Sequence, residues 1–302
     1  VSAPVKKAAA APTPAVKPVD TASLTPADLE AFLDGFLPYA LERGRIPGAV
    51  VVVVRGDQVL LEKGYGFADV AKRKPVLPET TLFRPGSVSK LFTWTAVMQQ
   101  VEAGKLDLDK DVNAYLDFKI PPYQGKPVTL RNIMTHTAGF EESVRYLISN
   151  DPKAAMPLKK LMPLALPERV FVPGTTPAYS NYATALAGYI VERVSGEPFD
   201  DYIDNHIFRP LGMTHATFRQ PLPKALVPDM ANGYPDITQK ARPFEIVTPA
   251  PAGSLSASGA DMGKFMIAHL ADGRGLLKPE TAKLMHDFKA PGVGPLNSMA
   301  LG

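Results

Sequence analysis

Ser87 and Lys90 stand three residues apart at the head of a long apolar run, "RPGSVSKLFTWTAVMQQVEAGKL", from Arg84 to Leu106. On a helix, residues at that spacing share a face, so the hydroxyl and the amine can touch. A serine hydroxyl is a weak nucleophile until a base takes its proton, and a lysine among apolar groups has its pKa lowered enough to help do so. The N-terminal end of a helix dipole disfavours an ammonium but favours a neutral amine and the negative charge developing on Ser87. Burying a cation there is costly. An activated serine is the chemistry that gives it a use, although a capping serine on a surface helix has the same pattern.

A second candidate group is Tyr179-Ser180-Asn181, between the loop "VPGTTPA" and an apolar run. A phenol beside a lysine can exist partly as phenolate and relay protons, and an asparagine can hydrogen-bond a substrate amide. On its own, a buried tyrosine followed by a capping asparagine explains the triplet equally well. Other chemistries are weaker. The chain has no cysteine, which removes a thiol nucleophile, a disulfide scaffold and a thiolate metal site together. His206, His215, His269 and His286 lack metal-binding spacing such as HExxH. Asp107, Asp109 and Asp111 alternate like a calcium loop, but Val112 and Phe118 occupy the places that need glycine and a bidentate glutamate. No metal and no cofactor is expected.

The elements that must hold these residues can be read coarsely. The chain has 302 residues, 45% hydrophobic and 21% charged, enough for a sizeable core. A net charge of +3, with cations scattered among acids, gives no stripe for nucleic acid. The longest aliphatic run, "AVVVVV", is too short to span a bilayer and reads as a buried strand. Residues 1–22, rich in Ala, Pro and Lys, read as a solvated linker of the kind that follows a removed signal peptide or anchor, so an exported, periplasmic or extracellular location is expected.

A helix is expected from Thr25 to Gly44, then two strands joined at Arg55-Gly56-Asp57. Gly64 and Gly66 hint at a phosphate loop, but with no helix after them they read as close backbone packing. Helical periodicity follows over 87–103, 129–135, 181–195, 198–207, 256–271 and 278–286, with most of the 31 prolines in the loops between. The expected architecture is α/β of the α+β kind: an antiparallel sheet lobe over 23–80 flanked by helices, and a mainly helical lobe over 81–290.

In this order along the chain, the two motifs resemble those of the penicillin-recognising serine hydrolases, which include class C β-lactamases, DD-peptidases and related esterases. The stretches "IPGAVVVVVRGDQVLLEKGYGFAD", "TLFRPGSVSKLFT", "VTLRNIMTHTAGF", "VPGTTPAYSNY", "IFRPLGMTHATF" and "PAGSLSASGADMGKFM" are similar across roughly residues 26–290. The resemblance implies a β-lactamase/transpeptidase-like fold and an acyl-enzyme mechanism. Ser87 would be the nucleophile, Lys90 its proton acceptor and Tyr179 the proton relay for acylation and deacylation. Asn181 would bind Lys90 and the substrate's acyl amide, and the Ser87 N–H would form half of an oxyanion hole. His136, in "HTAG", would be structural. Substrates would be small esters, D-amino-acid peptides or β-lactams, and a catalytically impaired binding or regulatory member of the fold is the alternative.

A Ser-His-Asp hydrolase of the α/β type does not fit, because its G-x-S-x-G elbow needs glycine where Ser89 and Lys90 stand. The resemblance also implies a third motif, K-T-G or H-x-G, on a later strand. From Ala290 onward the chain reads "APGVGPLNSMALG", without such a motif. The expectation is therefore that the protein continues beyond Gly302 with further sheet strands, by roughly 60 to 100 residues given usual domain sizes.

Overall fold

A computed structural model describes residues 24–287 and 300–301. The linker expected over 1–22, and the segment 288–299 in which a third motif is missing from the sequence, lie outside the described residues.

Helix α1 (Pro26–Gly44) begins where local chemistry starts a helix: Thr25 and Asp28 form a reciprocal capping box and Pro26 takes the first turn. Strands β1 (Gly48–Arg55) and β2 (Gln58–Asp69) pair antiparallel from Gly48 opposite Gly66 to Arg55 opposite Gln58, turning at Gly56-Asp57. The short β3 (Lys74–Pro75) adds to β2, giving the order β1-β2-β3. α1 is tied to β2 by Lys63, whose Nζ lies 2.7 Å from Glu30 and 2.8 Å from Asp34. Gly64 and Gly66 serve close packing. A Cβ on Gly64 would run into the Val76 carbonyl, and one on Gly66, at φ +68°, into that of Pro47.

Beyond the sheet the chain is mainly helical. A 3₁₀ turn (Gly86–Ser89) leads into α2 (Lys90–Glu102), and α3 (Leu130–Met134) follows. β4 (Ile148–Ser149) and α4 (Leu158–Leu164) come next, then the long α5 (Asn181–Ser195). α6 (Phe199–Ile203) runs through a π turn at Asp204–Phe208 into α7 (Arg209–Leu211). Three two-residue strands, β5 (Ala216–Thr217), β6 (Ile246–Val247) and β7 (Ser256–Ala257), precede α8 (Gly259–Leu270) and α9 (Pro279–Asp287). β4 pairs with β6 and β5 with β7. An antiparallel sheet with helices around it, beside a helical body, is the α/β architecture that the sequence implies.

Three boundaries differ from the periodicity. Ser87 lies in the 3₁₀ turn before α2, because Pro85 and the left-handed Gly86 (φ +57°) delay the helix. The 198–207 helix is prolonged to Leu211 by the π turn. Ser256 and Ala257 pair as a strand, and Ser258 caps α8 with its side chain on the Asp261 N–H. The alternating acids are engaged locally: Asp109 binds Arg131 through two hydrogen bonds of 2.6 and 2.7 Å, and Asp111 caps Asn113.

The core sits where α2, α5 and α8 converge. α5 is buried without a break from Tyr182 to Val191, so it is a central helix and not a surface one. On α2, Phe92 stacks on Phe265 of α8 at 3.8 Å between centroids and meets Phe208 and Phe218 edge-on at 5.7 and 6.0 Å. α8 also packs against β1, so this cluster joins the sheet to the helical body. Phe92→Ala should therefore destabilise the protein by about 3–5 kcal/mol, read as a lower urea midpoint with an unchanged m-value. A loss below about 1 kcal/mol would show that the cluster does not bind the two parts together.

Candidate active site

The site is assembled by three backbone segments, and α2 carries most of the fixing contacts. Ser89 Oγ donates to the Gly86 carbonyl at 2.6 Å, which closes the turn, and accepts the Leu255 N–H at 3.2 Å. One turn on, Thr93 Oγ1 donates to the Pro251 carbonyl at 2.7 Å. One hydroxyl of the 3₁₀ turn and one of α2 thus hold the 250–255 turn, and this brings the Ala252 carbonyl against Lys90. From another direction comes the start of α5. Ser180 caps it by accepting the Ala183 N–H at 3.1 Å, leaving Tyr179 just before the helix and Asn181 as its first residue.

Lys90 is only 4% exposed. Its Nζ lies 3.1 Å from Ser87 Oγ, 2.7 Å from Asn181 Oδ1 and 2.7 Å from the Ala252 carbonyl, so all three of its donor positions have oxygen partners. Burial pulls its pKa down to about 8, against the opposing pull of the Glu142 carboxylate. The ammonium still predominates below that pH, but the neutral amine, which accepts a proton, is far more accessible than at an ordinary lysine.

Tyr179 places its hydroxyl 2.6 Å from Ser87 Oγ. Here the structure departs from the expected partial phenolate. Desolvation holds the Tyr179 pKa above its ordinary value, outweighing the hydrogen bond to Ser87, and Glu142 adds to the rise. The phenol is neutral and donates. Lys90 Nζ lies over the ring face, 4.7 Å from its centroid. The opposite support is His136, whose ring stacks on Tyr179 at 4.4 Å and whose Nδ1 accepts the Ser180 N–H at 3.3 Å. Burial drops the His136 pKa to about 4, so the ring is neutral, and it contacts Tyr179 rather than Ser87.

Ser87, Lys90, Tyr179 and Asn181 are thus brought together in one cluster. Glu142 is the member that sequence reasoning missed. Its carboxylate accepts the Asn181 backbone N–H at 2.9 Å and its Nδ2 at 2.7 Å. That bidentate contact orients the amide so that Oδ1 faces Lys90, and it occupies one of the two side-chain N–H groups of Asn181. Nothing in "HTAGFEESV" distinguishes Glu142 from Glu141; only the approach of that loop to α5 does. Among the described residues no group of His, Cys, Asp and Glu could hold a metal ion, and no helix is long and apolar enough to cross a membrane.

Comparisons with known proteins bear on the family and the fold. The model of the family described as Beta-lactamase matches residues 27–300. A Bacillus subtilis (strain 168) relative with the provisional name penicillin-binding protein PbpX is 33% identical over 74% of this chain and 54% of its own length. Protein flp of Staphylococcus aureus (strain MRSA252) is 30% identical over 64% of this chain and 39% of its own. The chain therefore spans about half or less of these curated relatives. Among solved structures, the octameric penicillin-binding protein homologue from Pyrococcus abyssi superposes with a TM-score of 0.75 at 26% identity, covering 90% of this chain and 64% of that one. EstCE1, a hydrolase with promiscuous acyltransferase activity, gives 0.70 at 25% identity, over 86% and 77%.

If Lys90 must be neutral to accept the serine proton, the rate of Ser87 acylation should rise with pH through about 8. Glu142 favours the ammonium, so Glu142→Gln should move that limb to lower pH while slowing turnover through loss of the Asn181 anchor. Stopped-flow acylation by an activated ester reads both, and a limb that stays put or moves upward would contradict the assignment.

Proposed function

Because the chain belongs to the Beta-lactamase family, we propose that it is a serine hydrolase working through an acyl-enzyme on Ser87. The observation that carries this reading is the pair of contacts on one oxygen: Ser87 Oγ lies 3.1 Å from the buried amine of Lys90 and 2.6 Å from the phenol of Tyr179. One neighbour can take the serine proton and the other can give a proton to the leaving group, within the reach general acid–base catalysis needs.

The steps balance as follows. Ser87 Oγ adds to the substrate carbonyl as its proton passes to neutral Lys90, and the oxyanion accepts the Ser87 backbone N–H. Collapse expels the leaving group, which takes the phenolic proton of Tyr179, and the Lys90 ammonium returns its proton to the phenolate. Water then enters by the reverse sequence: it gives a proton to Tyr179 as the phenolic proton passes to neutral Lys90, adds to the acyl carbonyl and expels Ser87, which takes its proton back from the Lys90 ammonium. Asn181 and the Ala252 carbonyl hold the ammonium during its brief existence.

Small esters are the first substrate class in this proposal, with D-amino-acid peptides and β-lactams next. Support for the order comes from the neighbour described as a hydrolase with promiscuous acyltransferase activity and from the exposed mouth of the site, where Tyr179 is 46% and Val88 44% exposed. Comparing p-nitrophenyl butyrate, nitrocefin and a D-Ala-D-Ala peptide ranks the classes.

Ser87→Ala should abolish labelling by a fluorophosphonate probe and all ester turnover. Tyr179→Phe should cut turnover by about 10²–10⁴-fold, since a positioned proton donor contributes that much. In a burst experiment both acylation and deacylation should slow in Tyr179→Phe. Wild-type turnover by the Ser87 variant would sink the mechanism.

A further inference from the structure

Next to Gly86, the residue before Ser87, the fold leaves a cavity of about 690 Å³ whose wall also includes Gly253. The rest of its lining comes from the β4–β6 ribbon, through Ile148 and Val247, and from the 230–235 and 242–245 segments. Three charged side chains face it: Arg84, Arg242 and Glu245. Two cations against one anion leave the cavity positive.

Arg84 is the unusual member. The two residues before it are pinned: Phe83 exchanges two hydrogen bonds of 2.9 Å with Ala257, and Leu82 bonds Asp229 at 2.8 Å and Ala231 at 3.0 Å. The guanidinium is stacked on Phe244, 4.5 Å from the ring centroid. Its Nε is buried and has no hydrogen-bond partner. Glu245 favours the cation electrostatically, but burial outweighs that and lowers the Arg84 pKa. A buried guanidinium N–H without an acceptor, on a group stacked against a ring, is a cost that most structures avoid. Its planar fork is also the group best suited to a carboxylate.

We infer that this cavity is a subsite for an acyl group bearing a carboxylate, with Arg84 as the principal anion contact and Arg242 at the rim. The inference rests on the serine-hydrolase reading, because it uses Ser87 to define which half of the substrate enters. Tyr179, which in that reading protonates the leaving group, does not line the cavity, whereas Gly86, bonded directly to Ser87, does. The acyl half therefore faces Arg84. The preferred substrates are monoesters of dicarboxylic acids or acyl groups of like charge.

The test compares p-nitrophenyl monoesters of succinate, glutarate and adipate with their neutral methyl-capped counterparts, reading the anionic-to-neutral ratio of kcat/KM within each variant so that general losses divide out. For the wild type at least one pair should favour the anion by about tenfold or more, as charge-assisted contacts do, and the ratio should fall with added salt. Arg84→Gln should bring the ratio near one, Arg242→Gln should lower it severalfold, and Glu245→Gln should raise it. A carboxylate on the leaving group, as in 4-carboxyphenyl butyrate, should gain nothing from Arg84.

Glutarate binding to Ser87→Ala, followed by calorimetry, separates the two readings. Binding that disappears on adding Arg84→Gln supports the subsite even if no ester is turned over, which would be a failure of the hydrolase reading alone. Turnover of p-nitrophenyl butyrate with no anionic preference, and no Arg84-dependent glutarate binding, overturns the subsite and leaves the hydrolase. If Arg84→Gln does not fold, the Arg242→Gln and Glu245→Gln ratios still decide: shifts opposite to those stated overturn it.

Discussion

The structure around the site depends on one constraint, the burial of the Lys90 amine. An ammonium taken out of water must meet acceptors or lose its proton, and both happen here. Its three oxygen partners come from three distant parts of the chain: Ser87 in the 3₁₀ turn, Asn181 at the start of α5 and Ala252 in the turn before β7. Those segments can meet only if α2 and α5 pack side by side and the 250–255 turn closes over them. The Ser89 and Thr93 hydroxyls enforce that closure. The cost of one buried amine thus explains why polar residues stand in the otherwise apolar first turns of α2.

The same burial determines how protons are distributed. With Lys90 pulled down to about 8 and Tyr179 held above its ordinary value, the site gains an acceptor on one side of Ser87 as pH rises through about 8 and keeps a donor on the other. Two titratable groups pushed by their surroundings toward neutral forms divide the acid and base roles. Glu142 opposes this at Lys90, where it favours the ammonium, and reinforces it at Tyr179; it stands where it fixes Asn181, so the site balances orientation against the basicity of Lys90. His136 keeps out of the chemistry because burial makes it a neutral stacking partner.

Positioning extends outward through aromatic packing. Phe92, two residues beyond Lys90, is locked between Phe265, Phe208 and Phe218. Since α8 also lies on β1, the axis of α2 is set by the sheet as well as by its helical neighbours. The cavity next to Gly86 has the opposite character: a stacked arginine whose two preceding residues are firmly paired but whose Nε has no partner.

Much of this was legible in the chain alone. α1 was readable because Thr25, Pro26 and Asp28 form a local starting signal, and the β1–β2 hairpin because Gly56-Asp57 interrupts an apolar run. Ser87, Lys90, Tyr179 and Asn181 could be picked out because serine and lysine three apart, and the tyrosine–asparagine pair at a helix start, carry chemistry in their types and spacing. What the chain could not reveal were properties that arise between segments. The 3₁₀ turn under Ser87 follows from Gly86 and from the Leu255 N–H that Ser89 captures across the fold. The neutral state of Tyr179 follows from desolvation by residues far away in sequence. Glu142 became visible only when its loop met α5, since a glutamate in a polar stretch has no local mark. Arg84 sits beside the motif in sequence, yet its missing partner is a fact of packing. Local chemistry decided which residues could act; long-range burial decided their protonation and their partners.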